Sequence, residues 1–221
     1  MERALVIGVS GGIGAALARQ LALRGVAVTG LSRRDDGLDV TDEASLAAVL
    51  GRLSPPYDAL LVATGALAPP GLGPEKALRG LGAAQLAAQF ALNASGPILV
   101  LKHALRLMPR DRRCVFAALS ARVGSIGDNA LGGWYSYRAS KAALNQLIHT
   151  AAIEVGRSHR QAVVVALHPG TVDTGFGAEF HAGRAVLPPD ESAARLLAVL
   201  DGLTPAETGG FFDHQGARVP W

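Results

Sequence analysis

A chain of 221 residues with 49% hydrophobic and 18% charged side chains is long enough for one domain around a sizeable core and too short for two large ones, which excludes wholesale disorder. Its single cysteine, Cys114, excludes an internal disulfide and a thiolate zinc cluster. The net charge of +3 arises from scattered arginines with no interleaved aromatics to stack on bases, so no nucleic-acid partner is expected.

The first strand candidate is Ala4–Val9. The uncharged run around it, residues 4–18, holds four glycines and is too short for a membrane helix. No basic segment, apolar block and cleavage site follow one another, so a cytoplasmic protein with no membrane partner is expected. The strand leads through Gly8, Ser10, Gly11, Gly12, Ile13 and Gly14 into a helix over Gly14–Arg24. Glycines at a strand-to-helix turn let a pyrophosphate approach the backbone, and the helix N-terminus offers amide donors and the positive end of its dipole. The spacing is G-x-x-x-G-x-G, and its place in a βαβ unit makes it a nucleotide-site candidate.

The second strand, Val26–Leu31, runs into Ser32, Arg33 and Arg34. An acidic residue at this strand end suits the 2′-hydroxyl of NAD, and an arginine suits the 2′-phosphate of NADP. Arg33 therefore points to NADP(H), while Asp35 and Asp36 keep NAD(H) open. A helix over Glu43–Leu53 follows, with Thr41 as its expected cap. Ala59–Ala63 is the third strand and Gly82–Met108 the next helix. Inside that helix Pro97 has no N–H, and its ring clashes with the carbonyl four residues back. That carbonyl belongs to Asn93, which should leave the helix ladder and kink the helix.

Cys114–Leu119 is the fourth strand, and Tyr137–Val155 is helical. Tyr137 and Lys141 stand at i and i+4, so a phenol and an ammonium share one face. The ammonium favours the phenolate and should lower the tyrosine pKa toward a general acid/base range. With three tyrosines and three lysines in the chain, a chance Tyr-x-x-x-Lys is expected about 0.04 times, so the motif is informative. Tyr135 falls on a different face. Ala162–Leu167, a loop at Pro188-Pro189, a helix over Glu191–Asp201 and Gly210–Asp213 complete the series. This alternation predicts an α/β fold: a single Rossmann-type doubly wound parallel sheet, one domain over 1–221, with helices on both faces. The six histidines show no metal-ligand spacing, so no metal is expected.

The chain resembles the short-chain dehydrogenase/reductase family over essentially its whole length. The resemblance rests on the glycine loop, Leu38-Asp39-Val40-Thr41-Asp42, Asn93, a serine after the strand ending at Leu119, Tyr137-x-x-x-Lys141 and His168-Pro169-Gly170-Thr171-Val172-Asp173-Thr174. Ser120 to Asn129, Gly132-Gly133-Trp134-Tyr135-Ser136-Tyr137 and Gly209-Gly210-Phe211-Phe212-Asp213 resemble a narrower branch, that of C-factor-like proteins and sniffer-type carbonyl reductases.

The resemblance implies that Tyr137 exchanges a proton with a substrate carbonyl or alcohol. It implies that Lys141 lowers the tyrosine pKa and binds the nicotinamide ribose, that Asn93 holds a water in a proton relay, and that a serine holds the substrate oxygen. Asp39 and Val40 would flank the adenine, Gly65 would allow close approach to the adenosine, and Pro169, Gly170, Thr171, Val172 and Thr174 would hold the nicotinamide end. Alignment on the strand end gives Ser120 the serine role. Alignment on Gly124 puts Ala121 there, with Ser125 in reserve. Val62-Ala63-Thr64-Gly65 keeps only the glycine of the family's Asn-Asn-Ala-Gly, and the short stretch from Thr174 to Pro188 implies a small substrate lid. The expected activity is an NADP-dependent oxidoreductase interconverting a carbonyl and an alcohol, self-associated as a homodimer or homotetramer. The other reading is a cofactor-binding signalling or regulatory protein with little turnover. A sugar epimerase is a weaker third, because no room remains for its substrate domain.

Overall fold

The computed structural model describes residues 1–177, 180 and 185–221. Six strands, β1 (Arg3–Ile7), β2 (Ala27–Leu31), β3 (Ala59–Val62), β4 (Cys114–Leu119), β5 (Ala162–His168) and β6 (Phe211–Asp213), form a sheet in the order β2-β1-β3-β4-β5-β6. Every pairing is parallel. The α/β doubly wound expectation holds, and its cause is visible in β1. Ala4 and Val6 enter one core with Leu17, Leu21 and Leu196, while Leu5 and Ile7 enter the other with Leu46, Val100 and Leu144. A strand buried on both faces needs apolar residues at every position, which gives the unbroken runs seen in the sequence.

The helices are α1 (Gly12–Leu23), α2 (Arg33–Asp36), α3 (Glu43–Gly51), α4 (Ala83–Phe90), α5 (Gly96–Ala104), α6 (Tyr135–Ser158) and α7 (Pro189–Gly202). α1 and α7 pack together on one face of the sheet, and α3, α5 and α6 cover the other. Several boundaries differ from expectation for local reasons. Asp42, not Thr41, caps α3, its carboxylate accepting from the Ala44 amide at 3.0 Å. The Thr41 hydroxyl is engaged instead with Asp39 at 2.7 Å. Arg33 and Arg34 open a single helical turn capped by Ser32 and closed by Gly37 at φ 68°. Pro189 is not loop but the first residue of α7, where a missing N–H costs nothing.

The stretch read as one helix over Gly82–Met108 divides into α4, a π-helical turn at Ala91–Ser95, α5 and a 3₁₀ turn at Leu105–Leu107. The Gly96 amide reaches back five residues to the Ala91 carbonyl. The kink expected from Pro97 thus takes the form of a π turn, with Asn93 at its centre. Gly96 packs so tightly on Val40 that a Cβ would lie 2.9 Å from its methyl group.

Candidate active site

The loops after β1, β2, β3, β4 and β5 meet at the carboxyl edge of the sheet, where open α/β sheets bind ligands. The glycine loop is held down by the Gly8 amide, which donates to the Leu31 carbonyl at 2.8 Å. A Cβ on Gly14 would lie 2.1 Å from the Gly8 carbonyl oxygen, so α1 can start this close to β1 only with glycine there. Gly11 precedes α1 without capping it, and no acidic side chain stands in the first turn. The amides of Gly12, Ile13 and Gly14 therefore have no acceptor within the helix and are available as donors for an anion. Thr174 closes over this loop, its methyl group against Gly12. The Thr64 hydroxyl is buried with no partner. This cradle without side chains, with its orphaned donors, fits a dinucleotide.

Beyond β2, where an adenosine is expected, Asp35 and Asp36 are occupied. Asp36 accepts from the Ser32 amide at 2.7 Å, and Asp35 holds the Arg34 guanidinium at 2.9 and 3.1 Å. Arg33 is 79% exposed and makes only a loose contact, 4.0 Å, with Asp39. Hydrogen bonds from the Thr41 hydroxyl and amide hold Asp39 below the usual carboxylate range.

The π turn brings Asn93 against the loop after β3. Its Oδ1 accepts from the Ala66 amide at 3.0 Å, and its Nδ2 donates to the Ala66 carbonyl at 2.9 Å and to the Ser140 hydroxyl at 3.3 Å. Gly65, at φ 156°, is the point of closest approach. A Cβ there would lie 2.9 Å from Asn93 Oδ1 and 3.5 Å from Lys141 Nζ. Lys141 is buried and donates to the Leu119 carbonyl at 2.8 Å. Its ammonium stands 6.0 Å from the Tyr137 ring centroid. Asn93, Lys141 and Tyr137 are thus brought together. Tyr135 is 37% exposed and lines a separate groove of about 450 Å³ with Ser125 and Ala139.

The two serines are engaged elsewhere. Ser120 Oγ donates to Asn145 Oδ1 at 2.6 Å, eight residues beyond Tyr137 on α6, or roughly 12 Å along its axis. Ser125 Oγ accepts from the Asp128 amide at 3.1 Å. Around the Tyr137 ring stand residues that spacing did not single out. Phe176 lies 6.0 Å away and Trp134 6.3 Å, and Trp134 is packed in turn on Phe180 at 5.2 Å. The Gly-Gly-Trp run could have signalled a shaped turn. Nothing in the sequence connects Phe176 to it. Most of the expected small lid lies in this segment, and its residues 178, 179 and 181–184 fall outside the described ones. Nearby, the Nδ1 atoms of His168 and His214 are buried without partners, and burial pushes the His168 pKa down to about 4.

Burial sets the charge state of the central pair. It raises the Tyr137 pKa above the ordinary phenol value and pushes Lys141 down to about 7. The expected lowering of the tyrosine is absent in this geometry, because desolvation of both groups outweighs an ammonium 6.0 Å from the ring. Folding then has a pH signature. Above about pH 7 folded Lys141 loses its proton, whereas the unfolded chain keeps it to about 10.5. The unfolded state binds more protons across that window, so stability rises with pH. Between pH 7 and 9 the cofactor-free protein should gain on the order of 2 kcal/mol from this residue. Urea titrations at both pH values should show Lys141→Met lacking that gain, and equal slopes in the two proteins would contradict it.

An anion cradle of backbone amides joined to a buried Tyr–Lys pair defines a dinucleotide-dependent oxidoreductase of the doubly wound α/β class. A family model described as enoyl-(acyl carrier protein) reductase matches residues 8–201. The C-signal of Myxococcus xanthus is 38% identical over 138 residues, 62% of this chain and 80% of that protein. The 1-hydroxy-2-glutathionyl-2-methyl-3-butene dehydrogenase of Rhodococcus sp. (strain AD45) is 30% identical over the full length of both chains. A solved Burkholderia multivorans protein described as a short-chain dehydrogenase/reductase with bound NADP superposes with a TM-score of 0.85 at 29% identity, covering 100% of this chain and 99% of that one. The chain belongs to the short-chain dehydrogenase/reductase family of NAD(P)-dependent oxidoreductases.

Proposed function

We propose that the protein is an NADP-dependent oxidoreductase interconverting a carbonyl and an alcohol, with Tyr137 as the group that gives or takes the proton. The observation that carries this reading is the buried convergence of Tyr137, Lys141 and Asn93 beside the glycine cradle. The turn of residues 10–14 would hold the pyrophosphate through the amides of Gly12, Ile13 and Gly14, and Ser32, Arg33, Asp39, Val40 and Gly65 would surround the adenosine. Lys141 and the loop from Pro169 to Thr174 would hold the nicotinamide end. The bound nicotinamide supplies the hydride. Tyr137 then gives its phenolic proton to the carbonyl oxygen, which leaves an alcohol, and Lys141 and Asn93 hold the groups through which that proton is replaced. Ser120 is the candidate for holding the substrate oxygen, for which its hydroxyl must leave Asn145. Ser125 faces the outer groove and is the poorer fit. NADP fits better than NAD because Asp35 and Asp36 are taken up locally while Arg33 is free of close partners. The solved relative with NADP supports the same choice.

A panel of aldehydes, ketones, quinones and alcohols, assayed with both nicotinamide cofactors, tests this reading. Turnover should occur, with NADPH preferred. The similarity to C-signal favours a second reading, a cofactor-binding signalling protein. Tight NADPH binding without turnover on the whole panel would select it.

We also propose a homodimer or homotetramer built on α4, α5 and α6. The most apolar stretch of Ala83–Leu107 is only 39% buried, Phe90 within that segment is exposed, and so is Ile153 on α6. Light scattering at micromolar concentration should give a mass of at least twice 22.7 kDa. A 22.7 kDa species alone would refute the assembly.

A further inference from the structure

Helix α6 begins without a cap of its own. Its preceding residue, Trp134, has no side-chain acceptor to offer and sits in the left-handed region at φ 52°, the one non-glycine residue with positive φ among those described. A helix start leaves its first amides unpaired, and pairing them in a buried setting matters. Here the acceptors come from Glu75, 61 residues before Ser136. The Glu75 carboxylate accepts from the Ser136 amide at 3.3 Å and from the Ser136 hydroxyl, while the Glu75 backbone carbonyl accepts from the Trp134 amide at 2.5 Å. Glu75 is 6% exposed, and no cation pairs with it among the described residues. A carboxylate at a helix N-terminus is stabilised there by charge-assisted amide bonds and by the positive end of the helix dipole.

The carboxylate fastens the residue next to Tyr137. The loop that carries it is pinned at its other end by both backbone groups of Ala66 to Asn93. The segment from Ala66 to Glu75 therefore spans from the π turn to the first turn of α6. We propose that Glu75 is a positioning residue for the reaction assigned above: it caps α6 from a distance and fixes the height and direction of the Tyr137 hydroxyl relative to Lys141 and Asn93. The inference rests on that assignment, because it concerns the proton donor named there. Glu75 touches neither cofactor nor substrate in this role, so its loss should act on the chemical step and spare cofactor affinity.

The test compares Glu75→Ala, Glu75→Gln and Ser136→Ala, with the exposed Lys76→Ala as control. Glu75→Ala should lower kcat at least tenfold while the KM for NADPH stays within twofold. Glu75→Gln should keep at least a third of the parent kcat, because its amide oxygen still accepts from the Ser136 amide and its NH₂ can donate to the Ser136 hydroxyl. Ser136→Ala should fall between them, and Lys76→Ala should match the parent. Hydrogen exchange should show the amides of residues 135–137 opening at least tenfold faster in Glu75→Ala, with the distal half of α6 unchanged. A Glu75→Ala protein with kcat within twofold of the parent overturns the proposal, as does a loss that Glu75→Gln shares in full. If Glu75→Ala does not fold, the ranking of Glu75→Gln above Ser136→Ala decides. If the parent turns over no carbonyl, the assigned reaction fails, and unchanged exchange at residues 135–137 still refutes the cap by itself.

Discussion

Tyr137→Phe should lower carbonyl reduction by about 10²–10⁴-fold, the usual range for a lost general acid, or more. The ring fills a buried site between Trp134 and Phe176, so phenylalanine keeps the packing and only the hydroxyl is removed. Negative charge would then build on the carbonyl oxygen with no proton to neutralise it. NADPH affinity should barely change, because the proposed role places Tyr137 at the substrate. Lys141→Ala should behave differently and weaken cofactor binding as well, since the same ammonium would serve the ribose. Tyr135→Phe is the control, its hydroxyl lying toward the outer groove. Steady-state rates and fluorescence titrations with NADPH separate the three. Full activity in Tyr137→Phe together with its loss in Tyr135→Phe would reverse the assignment.

Replacing Arg33 with alanine should weaken NADPH by about 1.5–3 kcal/mol, the worth of a hydrogen bond to a charged group. That is roughly ten- to 150-fold in Kd, with NADH changed little. Arg34 is a poor substitute, because Asp35 already holds its guanidinium at two points. The parent protein should accordingly bind NADPH more tightly than NADH. Equal dissociation constants for the two cofactors in the parent would sink the argument from Arg33.

What the chain reveals before folding depends on how far apart the interacting residues are. Both faces of β1 and β5 are buried, so continuous apolar runs marked the strands directly. The Asn93 carbonyl could be read from Pro97, because the clash is local and obligatory. Its expression as a π turn could not, since the packing of Gly96 on Val40 also shapes that segment. The α2 turn is legible in the sequence, because Ser32 and Gly37 are ordinary start and stop residues. The start of α6 at Tyr135 instead of Tyr137 has no local signal, because its acceptors belong to Glu75. The role of Ser120 is equally non-local. Which way the Ser120 hydroxyl turns is decided by Asn145, 25 residues later.

The strand order has a consequence for synthesis. β2 and β3 take opposite edges of β1, and from β3 onward each new strand joins the one before it: β4 on β3, β5 on β4 and β6 on β5. A chain emerging from the ribosome can therefore extend its sheet one strand at a time, without opening pairs already made. The glycine cradle and the turn after β2 can be complete before Tyr137 has been translated. Until the next strand arrives, however, the growing edge is Ala59–Val62, Cys114–Leu119 or Ala162–His168, each an apolar strand with free backbone groups. Such an edge is a template for pairing with another nascent chain. Slow translation between residues 62 and 114, between 119 and 162, or between 168 and 211 should thus favour aggregation.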